Sequence, residues 1–146
     1  MRHLPLEGDP SIPVIVDTWM KGLRDFDVQA AYEAMYKSAT TPGKDNLMRP
    51  DIDDYIAKGY VPLTEQYDNS VSHALEYYIA DYALSRFAQA LGKKEDAKLF
   101  YDRSLGYKHY YCKEFGTLRP IFTRRNILFS IRSDGRSQFC SESRFS

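Results

Sequence analysis

Between Ser70 and Leu91 the chain runs SVSHALEYYIADYALSRFAQAL without a glycine or proline, and this stretch limits the fold more than any other. It is long enough for about six helical turns. Asp68, Asn69 and Ser70 offer N-cap oxygens ahead of it, and Gly92 is placed to end it. Its apolar residues do not keep to one stripe. On a helix, Val71, Leu75, Tyr78 and Tyr82 share one side, Ile79 and Ala83 lie on the next, and Leu84, Ala88 and Leu91 lie on the far side. A helix that is apolar all round is expected to be buried all round, so Leu75, Tyr78, Ile79 and Tyr82 should touch neighbours on both sides. The same stretch carries two carboxylates, Glu76 and Asp81. Buried acids cost free energy unless they are paired, hydrogen-bonded or protonated, and this conflict is the main chemical signal in the chain.

The rest of the chain supports helical hairpins. Pro13 suits a first helical turn, and Val14, Ile15, Thr18, Trp19 and Leu23 follow at helical spacing over Val14–Arg24, with Gly22 weakening the end. Asp25 or Asp27 can cap a second helix over Val28–Ser38. Met1–Ser11 and Thr40–Asp54 read as loops and Tyr55–Tyr67 as irregular. Glu95–Lys113 reads as a helix with Ala97, Phe100, Tyr101, Leu105, Tyr107 and Tyr111 available for packing. No convincing alternating strand is present. Asp51, Asp53 and Asp54 imitate a calcium loop. An EF-hand needs Gly at position 6 and Glu at position 12, where counting from Asp51 gives Ile56 and Pro62, so a solvated acidic turn is expected instead.

Composition excludes several classes. Lys plus Arg and Asp plus Glu are 20 each, so no net field points to nucleic acid or a membrane surface. No run reaches the length of a membrane span, and Met1–Ser11 lacks the apolar core of a signal peptide. The length of 146 residues suits one ordinary domain. The twelve tyrosines are expected mainly in helix packing, although such surfaces also suit sugars. Cys112 and Cys140 decide neither a bridge nor a compartment.

Three motifs then stand in order. PVIVDTWMKGLRDFDVQAAYEAM at Pro13–Met35, GYVP at Gly59–Pro62 followed by the Ser70 stretch through LGKKEDAKLFYDRSLGYK, and FGTLRP at Phe115–Pro120 resemble the glycoside hydrolase family 92 α-mannosidases. The family patterns are close to PVIxDAYxKGIRxFDxxxAYEAM, GYVP with SVSxTLEYAxxD, and GFMRP. GDPS at Gly8–Ser11 departs from the family's Gly-Tyr-His-Ser-type stretch. The resemblance implies an all-α fold, part of an (α/α)6 toroid over residues 12–121, from a calcium-dependent, inverting exo-mannosidase acting on α-linked mannose, with α-1,2 linkages the expected target in glycans. It further implies a secreted, periplasmic or cell-surface bacterial protein.

Beyond Phe122 the pattern stops, and residues 122–146 read as an irregular tail, disordered or out of frame. Suitable codons for Asn126–Ser146 read one base later can spell a segment containing ANFAPSPGFH, similar to the family's FxPSPGFHEG.

The LEY motif assigns Glu76 the role of general acid. On a helix it shares a face with Ser72, Ile79 and Ala83, an apolar wall expected to favour the protonated carboxyl that a glycosidase needs. Asp81 stands about 140° away around the axis, so the two acids do not face one ligand. Its expected role is structural, holding Arg86, a Tyr hydroxyl or a helix N-terminus. Trp19 and Ser72 are weaker candidates for substrate contact, with Asp17 beside Trp19. His73 is expected to be exposed. Inversion needs a second carboxylate roughly 6.5–9.5 Å from the acid. The family's base, and most calcium ligands, fall in segments downstream of anything in this sequence, so the chain alone is expected to be inactive. The competing reading is a non-enzymatic helical binding or scaffold module, which a recurring hairpin pattern would favour. Val14–Ser38 and Ser70–Lys113 do not align with each other.

Overall fold

The computed structural model describes residues 8–64, 69–122, 127–131 and 137–140. Most of the expected N-terminal loop, the cap candidate Asp68, and residues 123–126, 132–136 and 141–146 of the C-terminal segment lie outside these. Five α-helices carry the fold: α1 Ser11–Met20, α2 Val28–Thr40, α3 Ile52–Lys58, α4 Ser70–Ala90 and α5 Lys94–Ser104, with 3-10 turns at Gly43–Asp45 and Leu105–Tyr110. The class is all-α, built from helical hairpins around α4.

Local chemistry fixes two of the helix ends. Asp27 caps α2 by accepting from the Ala30 N–H at 2.9 Å. Asn69 stands at the N-cap of α4 without a side-chain bond, so the expected cap oxygens play no part among the described residues. The other end of α4 is closed by Gly92, whose φ of 78° is the left-handed conformation that glycine adopts without steric cost. Its N–H reaches Gln89 O at 3.1 Å and the Lys93 N–H reaches Ala88 O at 2.9 Å, satisfying two carbonyls at the helix end and turning the chain straight into α5. The helix read at Glu95–Lys113 is shorter as α, giving way to the 3-10 turn at Leu105 and to a strand at Tyr111.

α3 departs from the sequence reading, which has a loop and an irregular stretch there. Its seven residues are too few for a helix stable by itself. Burial of Ile52 and Tyr55 against α4 supplies what propensity does not.

Five short strands complete the described chain. β1 Tyr111–Cys112 pairs antiparallel with β2 Thr117–Leu118, and β3 Ile121–Phe122, β4 Ile127–Ile131 and β5 Ser137–Cys140 form an antiparallel sheet in that order. β4 and β5 lie in the segment that reads as irregular from sequence. ILFSI is rich in the residues that strands prefer, and Asp134-Gly135 is a hairpin signal in the sequence between them.

The apolar interior has two clusters. One joins Ile12, Val16, Tyr32, Met35, Leu84, Phe87 and Phe100 from α1, α2, the C-terminal half of α4 and α5. The other joins Ile52, Tyr55, Val61, Tyr77, Tyr78 and Tyr110 around the N-terminal half of α4. α4 spans both, but its surroundings do not close over it. Ile79 is 54% exposed and Tyr82 50%, against the expectation that both touch neighbours on either side. They line an open groove of about 470 Å³ with Leu75, Tyr101 and Tyr107. Tyr101 of α5 and Tyr107 of the turn after it form the facing wall, and the groove between them and α4 is open to solvent.

Tyr32, Tyr55, Tyr77, Tyr78 and Tyr110 are buried, the packing role expected for much of the tyrosine content. Burial pushes the hydroxyls of Tyr55, Tyr78 and Tyr110 well above the ordinary 10.0, and for Tyr55 the neighbouring Asp81 carboxylate adds to it. A folded value raised above the unfolded one means that this stability is fully present below pH 10 and is lost as pH rises beyond it. Unfolded tyrosines then release protons that the folded ones hold, at a cost of about 1.4 kcal/mol per pH unit for each. Alkaline titration followed by tyrosine absorbance and far-UV circular dichroism should show late ionisation of these groups, coincident with loss of helix. Full ionisation near pH 10 with the helical signal intact would contradict it.

Candidate active site

Glu76 lies in the N-terminal half of α4, half-buried, between the buried Tyr77 and the half-buried Leu75. Its stem is walled by the N-terminal segment rather than by the expected helix face. Gly8 runs so close that a Cβ built there would stand 2.5 Å from Glu76 Cβ. Of the residues read as its apolar wall, Ser72 and Ile79 are exposed and Ala83 is half-buried. The Gly8 backbone thus lies against the base of the Glu76 side chain.

The second acid of α4 is engaged from all sides. Asp81 is 0% exposed. Its Oδ1 accepts from Arg49 Nη1 at 2.8 Å, and its Oδ2 accepts from the Tyr55 hydroxyl at 2.9 Å and pairs with Arg103 Nε at 2.9 Å. A Tyr hydroxyl is among the partners named from sequence. Arg86 is not a partner; it is exposed and turned toward Gln89. Arg49 also lies 3.6 Å from Asp9 Oδ2 through Nε and rests over the Tyr77 ring at 5.0 Å. Arg103 donates to the Ala39 carbonyl at 3.0 Å and lies over the Tyr55 ring at 5.0 Å. For Arg49, burial alone would lower the proton affinity, but the Asp81 charge and hydrogen bond, with Asp9, raise it. Two acids and two guanidiniums therefore neutralise one another at the seam between the apolar clusters.

The turn expected to be solvated holds a further buried acid. Asp51 is buried, accepts from the Tyr77 hydroxyl at 2.6 Å, and faces His73 Nδ1 at 3.3 Å. His73 is thus buried, not exposed as expected, because its side of α4 packs on the Asp51 turn. Of the neighbouring acids, Asp53 accepts from the Gly43 N–H at 3.2 Å and Asp54 pairs with Lys58 at 2.7 Å.

The weaker candidates are divided. Ser72 stands one turn before Glu76 and shares its face, exposed. Trp19 does not approach Glu76. Its ring meets Phe87 edge-on at 5.1 Å, and Arg24 covers it at 4.3 Å. Phe87 is about 16 Å along the α4 axis from Glu76 at the helical rise. Asp17 is exposed and bonded to Lys21 at 2.6 Å. Among the described residues no three His, Cys, Asp or Glu side chains are grouped as a metal cluster.

Sequence reasoning missed Arg49, Arg103, Asp9 and Asp51. Arg103 left a signal, since it follows Phe100 by three positions and so belongs to the inward face of α5. Arg49 and Asp9 lie outside helices, where no period marks an inward residue.

The arrangement leaves one acid of α4 half-buried and locks the other in the frame. The Glycosyl hydrolase family 92 catalytic domain profile matches residues 3–145. A search of curated proteins finds no match. Among solved structures, an inverting mannosidase of family GH92 from Bacteroides thetaiotaomicron superposes with a TM-score of 0.70 at 27% identity, over 96% of this chain and 17% of that one. A GH92 α-mannosidase from the same organism gives 0.65 at 28% identity, over 80% of this chain and 15% of that one. In complex with mannoimidazole it gives 0.64 at 26%, over 95% and 16%. The chain spans about a sixth of the length of these relatives. The profile match over nearly every residue, with the helical frame shared by the mannosidases, places this chain in glycoside hydrolase family 92.

Proposed function

We propose that this chain contributes the acid side of an inverting exo-α-mannosidase site, with Glu76 as the general acid that protonates the departing glycosidic oxygen. The observation that carries this reading is the division of acids on α4: Asp81 is saturated by Arg49, Arg103 and Tyr55, while Glu76 keeps access to solvent. A general acid must reach the leaving oxygen within hydrogen-bond distance, and an acid already saturated in the frame does not. Asp81 holds the helix and Glu76 does the proton transfer. The mannoimidazole complex of a relative supports mannose in α-linked glycans as the substrate class, with α-1,2 linkages our finer reading. A secreted, periplasmic or cell-surface setting, as the family resemblance implies, is our finer reading of location.

Inversion also requires a base that activates water on the opposite face of the sugar. We assign that base, and the calcium that the family resemblance implies, to segments outside these 146 residues, so the chain alone should release no mannose with or without calcium.

The test is Glu76→Gln in a polypeptide of the relatives' length that contains this sequence. On an α-mannoside with a poor leaving group, kcat should fall about 10²-fold, the lower end for loss of a general acid. Activated aryl mannosides, which need little protonation, should lose far less. Equal turnover of variant and parent on an unactivated disaccharide would rule the role out.

A further inference from the structure

We propose that Gly8 and Asp9 form a strap that positions Glu76, with Gly8 as a positioning residue for the acid; the proposal rests on the reading of Glu76 above. Gly8 is buried, and its requirement is one of space. A Cβ there would meet Glu76 Cβ at 2.5 Å, Glu76 Cγ at 3.4 Å and Tyr77 Cε1 at 3.4 Å. The first of these has no side-chain remedy, because the Cβ of a helical residue is fixed by its backbone. Any side chain at position 8 must lift the strap off α4.

What holds the strap down is the next residue. Asp9 is buried; its Oδ1 accepts from Ser11 Oγ at 2.8 Å, its Oδ2 accepts from Ser38 Oγ, and Arg49 Nε stands 3.6 Å away. The same Arg49 donates to Asp81 on α4. A closed circuit results: Gly8 lies on Glu76, Asp9 is tied to Arg49, Arg49 is tied to Asp81, and Asp81 is five residues along the same helix from Glu76. The base of the Glu76 side chain is thereby wedged between two points referred to one guanidinium. Such support restricts the rotamers through which the carboxyl reaches outward, as preorganisation of a proton donor requires.

Two variants test this. Gly8→Ala lifts the strap, and Ser38→Ala loosens Asp9 without adding bulk, so a readout survives if the first variant folds poorly. In the 146-residue chain, side-chain scalar couplings of Glu76 measured by NMR should report one χ1 rotamer in the parent and averaged rotamers in both variants, more so in Gly8→Ala. In the family-length polypeptide, Gly8→Ala should lower kcat about tenfold on an unactivated mannoside, short of the 10²-fold that a 1 Å misplacement can cost. KM should change less than about threefold, and an activated aryl mannoside should be turned over nearly as before, since the strap acts on proton transfer alone. Unchanged Glu76 couplings in both variants, or equal loss on both substrates, would overturn the strap. Failure of the general-acid reading itself shows separately, as retained turnover in Glu76→Gln.

Discussion

Replacing Asp81 with alanine should remove a large share of the chain's stability. The carboxylate has no solvent exposure and serves Arg49, Arg103 and the Tyr55 hydroxyl at 2.8, 2.9 and 2.9 Å. Its loss leaves two guanidiniums in the interior with, among the described residues, only Asp9 paired to either, at 3.6 Å from Arg49 Nε. Removing one partner of a buried ion pair costs about 3–5 kcal/mol, because the remaining charge stays buried and uncompensated. A domain's whole stability is about 5–15 kcal/mol. Urea unfolding followed by circular dichroism should therefore show a large fall in midpoint. Asp81→Asn, which keeps the size and loses the charge, should be nearly as damaging. A variant that also replaces Arg49 and Arg103 with apolar residues should recover part of the loss, since the cost lies in the stranded charges. An Asp81→Ala midpoint equal to the parent's would show that water or rearrangement compensates the arginines.

Phe87→Ala should be about as severe by a different route. Phe87 is fully buried on α4, with Trp19 edge-on at 5.1 Å and Tyr32 at 6.2 Å, at the junction of α1, α2 and α5. Truncation removes the transfer free energy of the ring and leaves a cavity between helices that cannot all collapse onto it, about 3–5 kcal/mol in total. The internal control is Ile79→Ala on the same helix. At 54% exposure Ile79 contributes little, and its loss should stay within about 0.5 kcal/mol. Thermal unfolding of both variants measures the contrast. Equal losses would mean that the groove beside Ile79 is covered in solution.

The central helix, the second helix with its Asp27 cap and the hairpin turn at Gly92 were legible because each rests on local chemistry: helical spacing, a cap oxygen, a left-handed glycine. α3 was not, because its stability comes from Ile52 and Tyr55 packing on α4. Asp51 and His73 misled for the same reason. The residues that make their burial tolerable are distant in sequence, Tyr77 for the acid and the acid itself for the histidine. Helical spacing alone sets Glu76 and Asp81 on different sides of α4, but the Gly8 backbone against Glu76 belongs to no helical wheel. The apolar circumference of α4 led to an expectation of burial on all sides, which the described elements meet on every flank except the groove of Ile79 and Tyr82.

The seat of Asp81 between the two apolar clusters has a consequence for how the chain comes apart. Tyr55 and Arg49 approach it from the side of α3 and the Asp51 turn, and Arg103 reaches it from α5. Opening either side alone would strand charge on the other, so neither half gains by loosening first. The penalty for partial opening is electrostatic and applies to both halves at once, and it ties two modest cores into a single cooperative transition.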